Sequence, residues 1–279
     1  MESLELKLTP SRVALLACYA ATIILLIPAH QFVLGGITFI ATVVLLARDP
    51  EKRLRLRLGV LLACVLLLGI TDITPDLSNA NFIKLTAVFS LVLIVPLIVQ
   101  RWDNAKIIRY RFKPLHWRKA DVIYTILSVP LAWMVLRGYE WGNLALFDNE
   151  LFRQWSMPEE ADAGEIRRLF IGINLVGIWD ELFFINTGYA LLRSLFSYRV
   201  ANALQAVLYT AVLFDMAFVG LGVVVVFLFA LTQGAMYEKS EGLLWVLIVH
   251  LVVDYFLVAF IVQTYYPDYG LDFLWRKGF

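Results

Sequence analysis

The sequence has few charged residues. Only 17% of its 279 residues are Asp, Glu, Lys or Arg, whereas an ordinary soluble domain has about a quarter. Hydrophobic residues make up 61% of the chain. This composition argues against an ordinary soluble domain and predicts a polytopic membrane protein.

Other features are also scarce. The two cysteines, Cys18 and Cys64, lie inside apolar runs, so we expect neither a disulfide nor a metal site from them. No small-residue cleavage site follows the first apolar run, which predicts a retained helix rather than a signal peptide. No nucleic-acid motif is present, and no nucleic-acid partner is expected. No run alternates apolar and polar residues, so helices are expected to be the membrane-spanning elements.

The chain contains instead a series of apolar runs, each long enough for a helix to cross the hydrocarbon core or nearly so. The runs 32–47 and 222–237 are the weakest of the series. The sequence therefore predicts an all-α, polytopic membrane bundle of eight or nine transmembrane helices. The runs lie at 12–29, 32–47, 58–73, 82–100, 122–138, 167–196, 200–219, 222–237 and 243–263.

The connecting segments differ in charge. Lys and Arg concentrate in 48–57 and 101–121, whereas 72–80 and 139–165 are acidic. Because Lys and Arg are retained on the cytoplasmic side, the basic loops are predicted to be cytoplasmic. Nine spans then place the N-terminus inside and the C-terminus outside. We expect an integral protein of a bacterial inner membrane or a plasma membrane.

The longest connection divides the predicted spans into two groups. Residues 139–165 are predicted to form an acidic, partly helical outer loop between the N-terminal helices, 1–138, and a core bundle, 166–264. The aromatic, amphipathic segment 265–279 is typical of a chain lying at a membrane interface.

Five ionisable residues interrupt the apolar runs of the second group. A charge at bilayer depth costs at least ~2.5 kcal/mol, so each such residue is a functional candidate. Helix rise places the three aspartates at similar depths, with the histidine about a turn nearer the cytoplasm. We therefore predict one polar site built from three helices, although Asp215 alone is more simply interpreted as a packing residue. The five residues are Asp180, Glu181, Asp215, His250 and Asp254.

The spacing of these residues predicts their chemistry. His250 and Asp254 are four residues apart and share a helical face. Asp180 and Glu181 are about 100° apart and can border one cavity without pointing the same way. Acids packed this closely cannot all ionise, so at least one keeps a proton that a general acid or base can use.

Three stretches in the second group resemble a known family: "DELFFIN", "VLFDMAF" and "QGAMYEKSEGLLWVLIVHLVVD". Together they make residues 177–257 similar to the CPBP family of membrane proteins. That family includes type II CAAX prenyl endopeptidases and bacteriocin-processing and self-immunity proteins. The resemblance implies a helical membrane bundle and glutamate-dependent intramembrane proteolysis. In that chemistry one glutamate activates water, while histidines and an asparagine support the water and the oxyanion.

The match to the family pattern is incomplete. The second glutamate and the second histidine are retained as Glu181 and His250. Asp215 lies three residues before one changed position and is expected to replace its polar group. The changed positions are the first glutamate, now Asp180; the arginine, now Ile185; the glycine, now Asn186; the first histidine, now Phe218; and the asparagine, now Asp254. Besides the acids and His250, we expect the cavity of the site to be lined by Asp215, Phe218, Ile185 and Asn186.

Three hypotheses follow. The first is a divergent intramembrane endopeptidase in which Asp180 or Glu181 activates water, His250 is an acid or oxyanion donor and Asp254 orients it. Its substrate is a membrane-embedded or lipidated peptide, cleaved toward the cytoplasmic side. The second is a catalytically inactive scaffold that binds a helix or lipid in the same cavity. The third is a metal- or proton-linked site, for which oxygen ligands and one imidazole would suit Mn²⁺ or Fe²⁺. No cofactor is predicted, because no pair of residues has a metal-motif spacing, and the oligomeric state is left open.

Overall fold

The computed structural model describes residues 4–103, 105–148, 155, 157–216 and 218–272. Within these ranges the chain forms nine long helices and no strand. The helices are α1 (Pro10–Leu26), α2 (Phe32–Arg48), α3 (Lys52–Gly69), α4 (Asn79–Trp102), α5 (Lys119–Phe147), α6 (Ala163–Arg193), α7 (Tyr198–Asp215), α8 (Gly222–Ser240) and α9 (Leu244–Tyr265).

The prediction of an all-α membrane bundle is confirmed. Each helix coincides with one of the nine apolar runs, and five helices are long and apolar enough to cross a membrane: α4, α5, α6, α8 and α9. Helices α1 and α2 are apolar but have only 17 residues each. Helix α3 begins with the basic sequence "KRLRLR", which lowers its hydropathy. The protein is an integral membrane protein.

Successive helices run in opposite directions, which gives the bundle two ends. At the basic end, Arg12 pairs with Asp49 at 2.8 Å and Arg57 pairs with Asp103 at 2.6 Å. This end also carries the α4–α5, α6–α7 and α8–α9 connections. The opposite, acidic end carries the α1–α2, α3–α4, α5–α6 and α7–α8 connections. The segregation of charge seen in the sequence is therefore a segregation between the two ends of the bundle.

The predicted acidic loop is shorter than 139–165. Helix α5 continues through Phe147, and Asp148 ends it in a left-handed conformation. Helix α6 begins at Ala163, where the Asp162 side chain accepts a hydrogen bond from the Glu165 amide. The predicted run ends at 138 because the sequence becomes more polar there. The hydrogen bonds of the helix nevertheless continue to Phe147. Residues 149–154 and 156 of this loop, and 273–279 of the predicted interfacial segment, lie outside the described residues.

Helix α6 changes its hydrogen-bonding pattern in the middle. Residues Glu181–Tyr189 form a π-helix, in which each carbonyl group accepts a hydrogen bond from the amide five residues ahead. The Thr187 hydroxyl donates to the carbonyl of Leu182 at 2.8 Å, across the same five-residue interval. π-Helical turns often occur at functional sites. This one begins at the second of the two adjacent acids.

Aromatic packing fixes α6 against its neighbours. The Trp179 ring stacks on Phe89 of α4 with centroids 3.8 Å apart, and its indole N–H donates to the Phe89 carbonyl at 2.9 Å. Phe183 and Phe184 are fully buried next to it. This contact sets the position of Asp180, which follows Trp179 directly.

Candidate active site

His250 lies at the centre of a buried polar cluster. Its Nδ1 atom is 2.7 Å from Glu181 Oε1 and 3.0 Å from the Tyr209 hydroxyl. Its Nε2 atom is 3.5 Å from Asp254 Oδ1 and 3.7 Å from Asp180 Oδ2. Three acids from α6 and α9 therefore surround one imidazole, as the sequence predicted for Asp180, Glu181 and Asp254.

Glu181 lies behind the imidazole in a fully buried position. Its Oε1 atom accepts hydrogen bonds from Gln233 Nε2 at 2.9 Å and from the Tyr209 hydroxyl at 3.4 Å. Gln233 is itself held by a 2.9 Å bond to the Val246 carbonyl. These contacts fix the orientation of Glu181 and, through it, the orientation of the His250 ring.

A cavity of about 720 Å³ reaches the other side of the imidazole. Asp180, His250 and Asp254 form part of its wall, whereas Glu181 does not line it. The remaining wall is mainly apolar and comes from helices α4 to α9, the loop 74–77, Trp155 and the α7–α8 connection. The cluster therefore has one face toward a large apolar cavity and one face toward packed protein.

Two carboxylate oxygens at this wall have no hydrogen-bond partner in the described part of the protein: Asp180 Oδ1 and Asp254 Oδ2. An unpaired buried carboxylate oxygen is costly, so the described protein groups alone do not satisfy these two acids. Gly177 makes room for this arrangement. A Cβ atom at Gly177 would lie 2.0 Å from Asp254 Oδ2 and 2.9 Å from His250 Cδ2.

Residues 163–256 match the family model described as type II CAAX prenyl endopeptidase Rce1-like. The chain is therefore similar to this family from the start of α6 to the middle of α9. The match covers about a third of the chain and includes all four residues of the acid–imidazole cluster. It confirms the resemblance to the CPBP family over these residues and supports a CAAX-protease-like function in general terms. No curated protein and no solved structure matches this chain.

Asp215 does not join the cluster of the Rce1-like segment. Its Oδ1 atom is 3.3 Å from Nε2 of His30 in the α1–α2 connection, at the acidic end. The side chain that α7 contributes to the cluster is Tyr209, and Asp215 lies six residues, or about 9 Å, further along the helix axis. Equal distances from helix ends therefore did not give equal depths, because the helices are offset along their axes.

The three other cavity candidates lie in different places. Phe218 lines the cavity and stacks on Tyr139, with centroids 6.2 Å apart. Ile185 and Asn186 are fully buried but do not line it. They follow Glu181 by a turn of α6 toward the basic end, where Asn186 Oδ1 accepts a 2.8 Å bond from the Tyr237 hydroxyl.

Sequence reasoning missed Tyr209, Gln233 and Gly177. A signal for Tyr209 was present, because it ends a polar stripe at helical spacing along α7. Gln233 is a lone amide in an apolar run, and Gly177 carries no chemical signal of its role. The members of the stripe are Tyr198, Asn202, Gln205 and Tyr209.

The metal hypothesis finds no geometric support in the described residues. Among them, no three His, Cys, Asp or Glu side chains form a group that could hold a metal ion. Cys18 and Cys64 are free thiols. The role of each acid in catalysis stays a prediction.

Proposed function

We propose that the protein is an intramembrane endopeptidase that cleaves a membrane-embedded or lipidated peptide with water activated by a carboxylate. One observation carries this proposal. Asp180, Asp254 and His250 line one apolar cavity, and each of the two acids keeps an oxygen without a hydrogen-bond partner among the described residues. The Rce1-like match of the same residues supports a protease-like activity.

In the proposed reaction, Asp180 is the general base. Its carboxylate takes a proton from a water molecule, and the water oxygen forms a bond with the carbonyl carbon of the peptide. The tetrahedral intermediate collapses when the C–N bond breaks and the amine nitrogen receives a proton. Asp254, in its protonated form, supplies that proton, so that one acid of the pair starts ionised and the other starts neutral.

His250 and Glu181 have supporting roles in this proposal. The short contact to Glu181 holds the proton on His250 Nδ1 and fixes the ring. A protonated imidazole then presents Nε2–H to the developing oxyanion. Glu181 acts on the substrate only through His250, which makes it a positioning residue. This assignment makes the aspartate, and not the retained glutamate, the residue that activates water.

The apolar wall fits a substrate of low polarity. Phe82, Leu85 and Phe89 of α4 face the cavity from one side, and Leu131 and Val135 of α5 face it from another. A hydrophobic peptide segment or a lipid chain buries its surface against such a wall at roughly 25 cal/mol per Å². We also propose a bacterial inner membrane or a plasma membrane as the location, with the basic end cytoplasmic.

The test compares membrane-protein termini by mass spectrometry in a strain that lacks the protein and expresses either the wild type or one variant. New termini should appear with the wild type and disappear with Asp180→Ala, His250→Ala and Glu181→Gln. Asp215→Asn is the matched control, because this intramembrane acid lies outside the cluster, and it should behave as the wild type. Identical termini from all variants at equal abundance would refute the protease proposal.

A scaffold without catalysis is the second candidate. The observation that favours it is the phenylalanine at the family's first histidine position: Phe218 stacks on Tyr139 and offers no proton. A scaffold depends on the cavity volume and not on its acids. Ala132→Phe would fill the cavity that Ala132 lines; it should abolish the biological effect while Asp180→Ala preserves it. Under the protease proposal both variants abolish the effect.

A further inference from the structure

The cavity approaches the acids from one end of the bundle. Its lining includes Thr74, Pro75, Asp76 and Leu77 of the α3–α4 loop, together with Trp155 of the α5–α6 connection. All of these lie at the acidic end. None of the described residues in the connections at the basic end lines it.

The opposite side of the cluster is closed by packed side chains. The Phe184 ring contacts Tyr209 with centroids 4.4 Å apart. Beneath them Tyr189 packs edge-on against Tyr237 and donates a 2.6 Å hydrogen bond to Glu238. Such packing leaves little space for a peptide. A substrate that reaches Asp180 therefore does so from the side of the acidic loops.

The cavity also separates two helices that face lipid. Helix α4 packs on α3 and α6, whereas α5 packs on α9 and α8, and the cavity lies between α4 and α5. Leu131 and Val135 of α5 line it and are exposed. An apolar chain in the membrane can reach the cavity through this gap without passing through water.

We infer that the site admits its substrate from the half of the bilayer next to the acidic loops, which is the non-cytoplasmic half. This inference rests on the proposed function and specifies its substrate class. The substrate is a peptide with an apolar membrane segment that enters between α4 and α5. Its scissile bond reaches Asp180, His250 and Asp254 through the cavity that these residues line.

The membrane side follows from the charges at the basic end. Lys and Arg residues near membrane spans are retained in the cytoplasm, and the cavity opens at the other end. Arg193 and Glu238 at the closed end add an ion pair of 3.0 Å between α6 and α8. The direction of the cavity is a property of the fold, whereas its assignment to a membrane side depends on the charge rule.

Thiol labelling tests both the direction in which the cavity opens and the side of the membrane on which it opens. The background is the full chain with Cys18→Ser and Cys64→Ala, and single cysteines are introduced by Ser128→Cys and Thr86→Cys in the cavity wall, Asp76→Cys at its acidic end and Lys106→Cys at the basic end. The probe is a membrane-impermeant, cationic methanethiosulfonate applied to intact cells or to inverted membrane vesicles. Ser128→Cys replaces one small buried side chain by another, and Thr86→Cys provides a second cavity position if that variant does not fold.

We expect both cavity cysteines to react from the same side as Asp76→Cys, in intact cells, and to lose this labelling in inverted vesicles. Lys106→Cys should show the reverse pattern. Labelling of the cavity cysteines from the side of Lys106→Cys, or from neither side, would overturn the inference. Labelling does not require peptide cleavage, so a protein that is labelled as expected but produces no new termini would refute the proposed protease and leave the direction of access intact.

Discussion

Two buried charged clusters in this protein look alike in a list of residues but differ in what surrounds them. At the basic end, Arg57 donates to Asp103 at 2.6 Å and to the Ser194 hydroxyl at 3.0 Å. In the centre of the bundle, His250 lies among three acids, and two of these acids keep an unpaired oxygen at a cavity wall. The first cluster joins α3, α4 and α6 by completed hydrogen bonds. The second leaves two carboxylate oxygens, Asp180 Oδ1 and Asp254 Oδ2, without a partner among the described residues.

The difference shows that a charged residue at membrane depth is not enough to indicate function. Arg57 is almost fully buried, as is His250, but its cation is matched by one carboxylate, and the cavity that Arg57 lines measures about 10 Å³. The His250 cluster has more acid than one imidazole can neutralise. Excess acid beside a large cavity is the feature that separates a candidate active site from a structural ion pair.

The largest expected effect is the loss of cleavage in Asp180→Asn. The amide cannot take a proton from water, so the rate should fall by about 10²- to 10⁴-fold. The side chain keeps its shape, and the thermal unfolding temperature in detergent should be unchanged. The measurement is the abundance of the new protein termini, with Asp215→Asn as control. Cleavage at the wild-type rate would exclude Asp180 as the base.

A change at the Arg57–Asp103 pair should lower stability and leave cleavage unchanged. Arg57→Met leaves Asp103 buried without its partner, which typically destabilises a protein by about 3–5 kcal/mol. The thermal unfolding temperature, followed by size-exclusion chromatography after heating, should fall. The folded fraction should cleave normally. The double variant Arg57→Met/Asp103→Leu removes both charges and should recover most of the lost stability; no recovery would mean that the ion pair is not the cause.

Gly177→Ala tests the link between packing and chemistry. The added methyl group would overlap Asp254 Oδ2 and press on His250, and overpacking of this kind costs about 1–3 kcal/mol. We expect a modest loss of thermal stability and a larger loss of cleavage, because the two side chains must move. Gly138→Ala is the matched control, since a Cβ atom there meets nothing within 4 Å. Equal behaviour of the two variants would contradict the role given to Gly177.

The sequence was sufficient for the helices and for the identity of the clustered acids, because both depend on local composition. Apolar runs marked all nine helices, and the rarity of charge inside them marked Asp180, Glu181, His250 and Asp254. Which acid faces the cavity was not predictable. It depends on the π-helix that begins at Glu181 and on contacts between distant helices.

Asp215 is a residue that the sequence suggested for the cluster but that the structure places elsewhere. Its type and apparent depth suited the cluster, but the offset of α7 along its axis carries it to His30 at the acidic end. A depth counted from the end of each helix assumes that the helices start at one level. Only their packing determines that level, and the sequence does not contain it in a local pattern.

The smallest expected effect concerns the ion pair between Arg12 and Asp49 at the basic end. Hydrogen bonding to Arg12 holds the pKa of Asp49 below its ordinary value. A carboxylate with a lowered pKa in the folded state contributes stability above its unfolded pKa, about 3.9, and loses it as the pH falls through the folded value. Asp49→Asn should therefore lower the free energy of unfolding by about 1 kcal/mol at pH 7, a magnitude typical of pairs near a surface.

The pH dependence separates this ion pair from a simple packing effect. The difference in thermal unfolding temperature between wild type and Asp49→Asn should be constant from pH 7 to about pH 5. It should shrink at lower pH, because the wild-type carboxylate then also becomes neutral. Arg12→Met/Asp49→Asn should be no less stable than Asp49→Asn alone. A difference that stays constant down to pH 3 would assign the stabilisation to the shape of the side chain and not to its charge, unlike the paired cluster at Arg57.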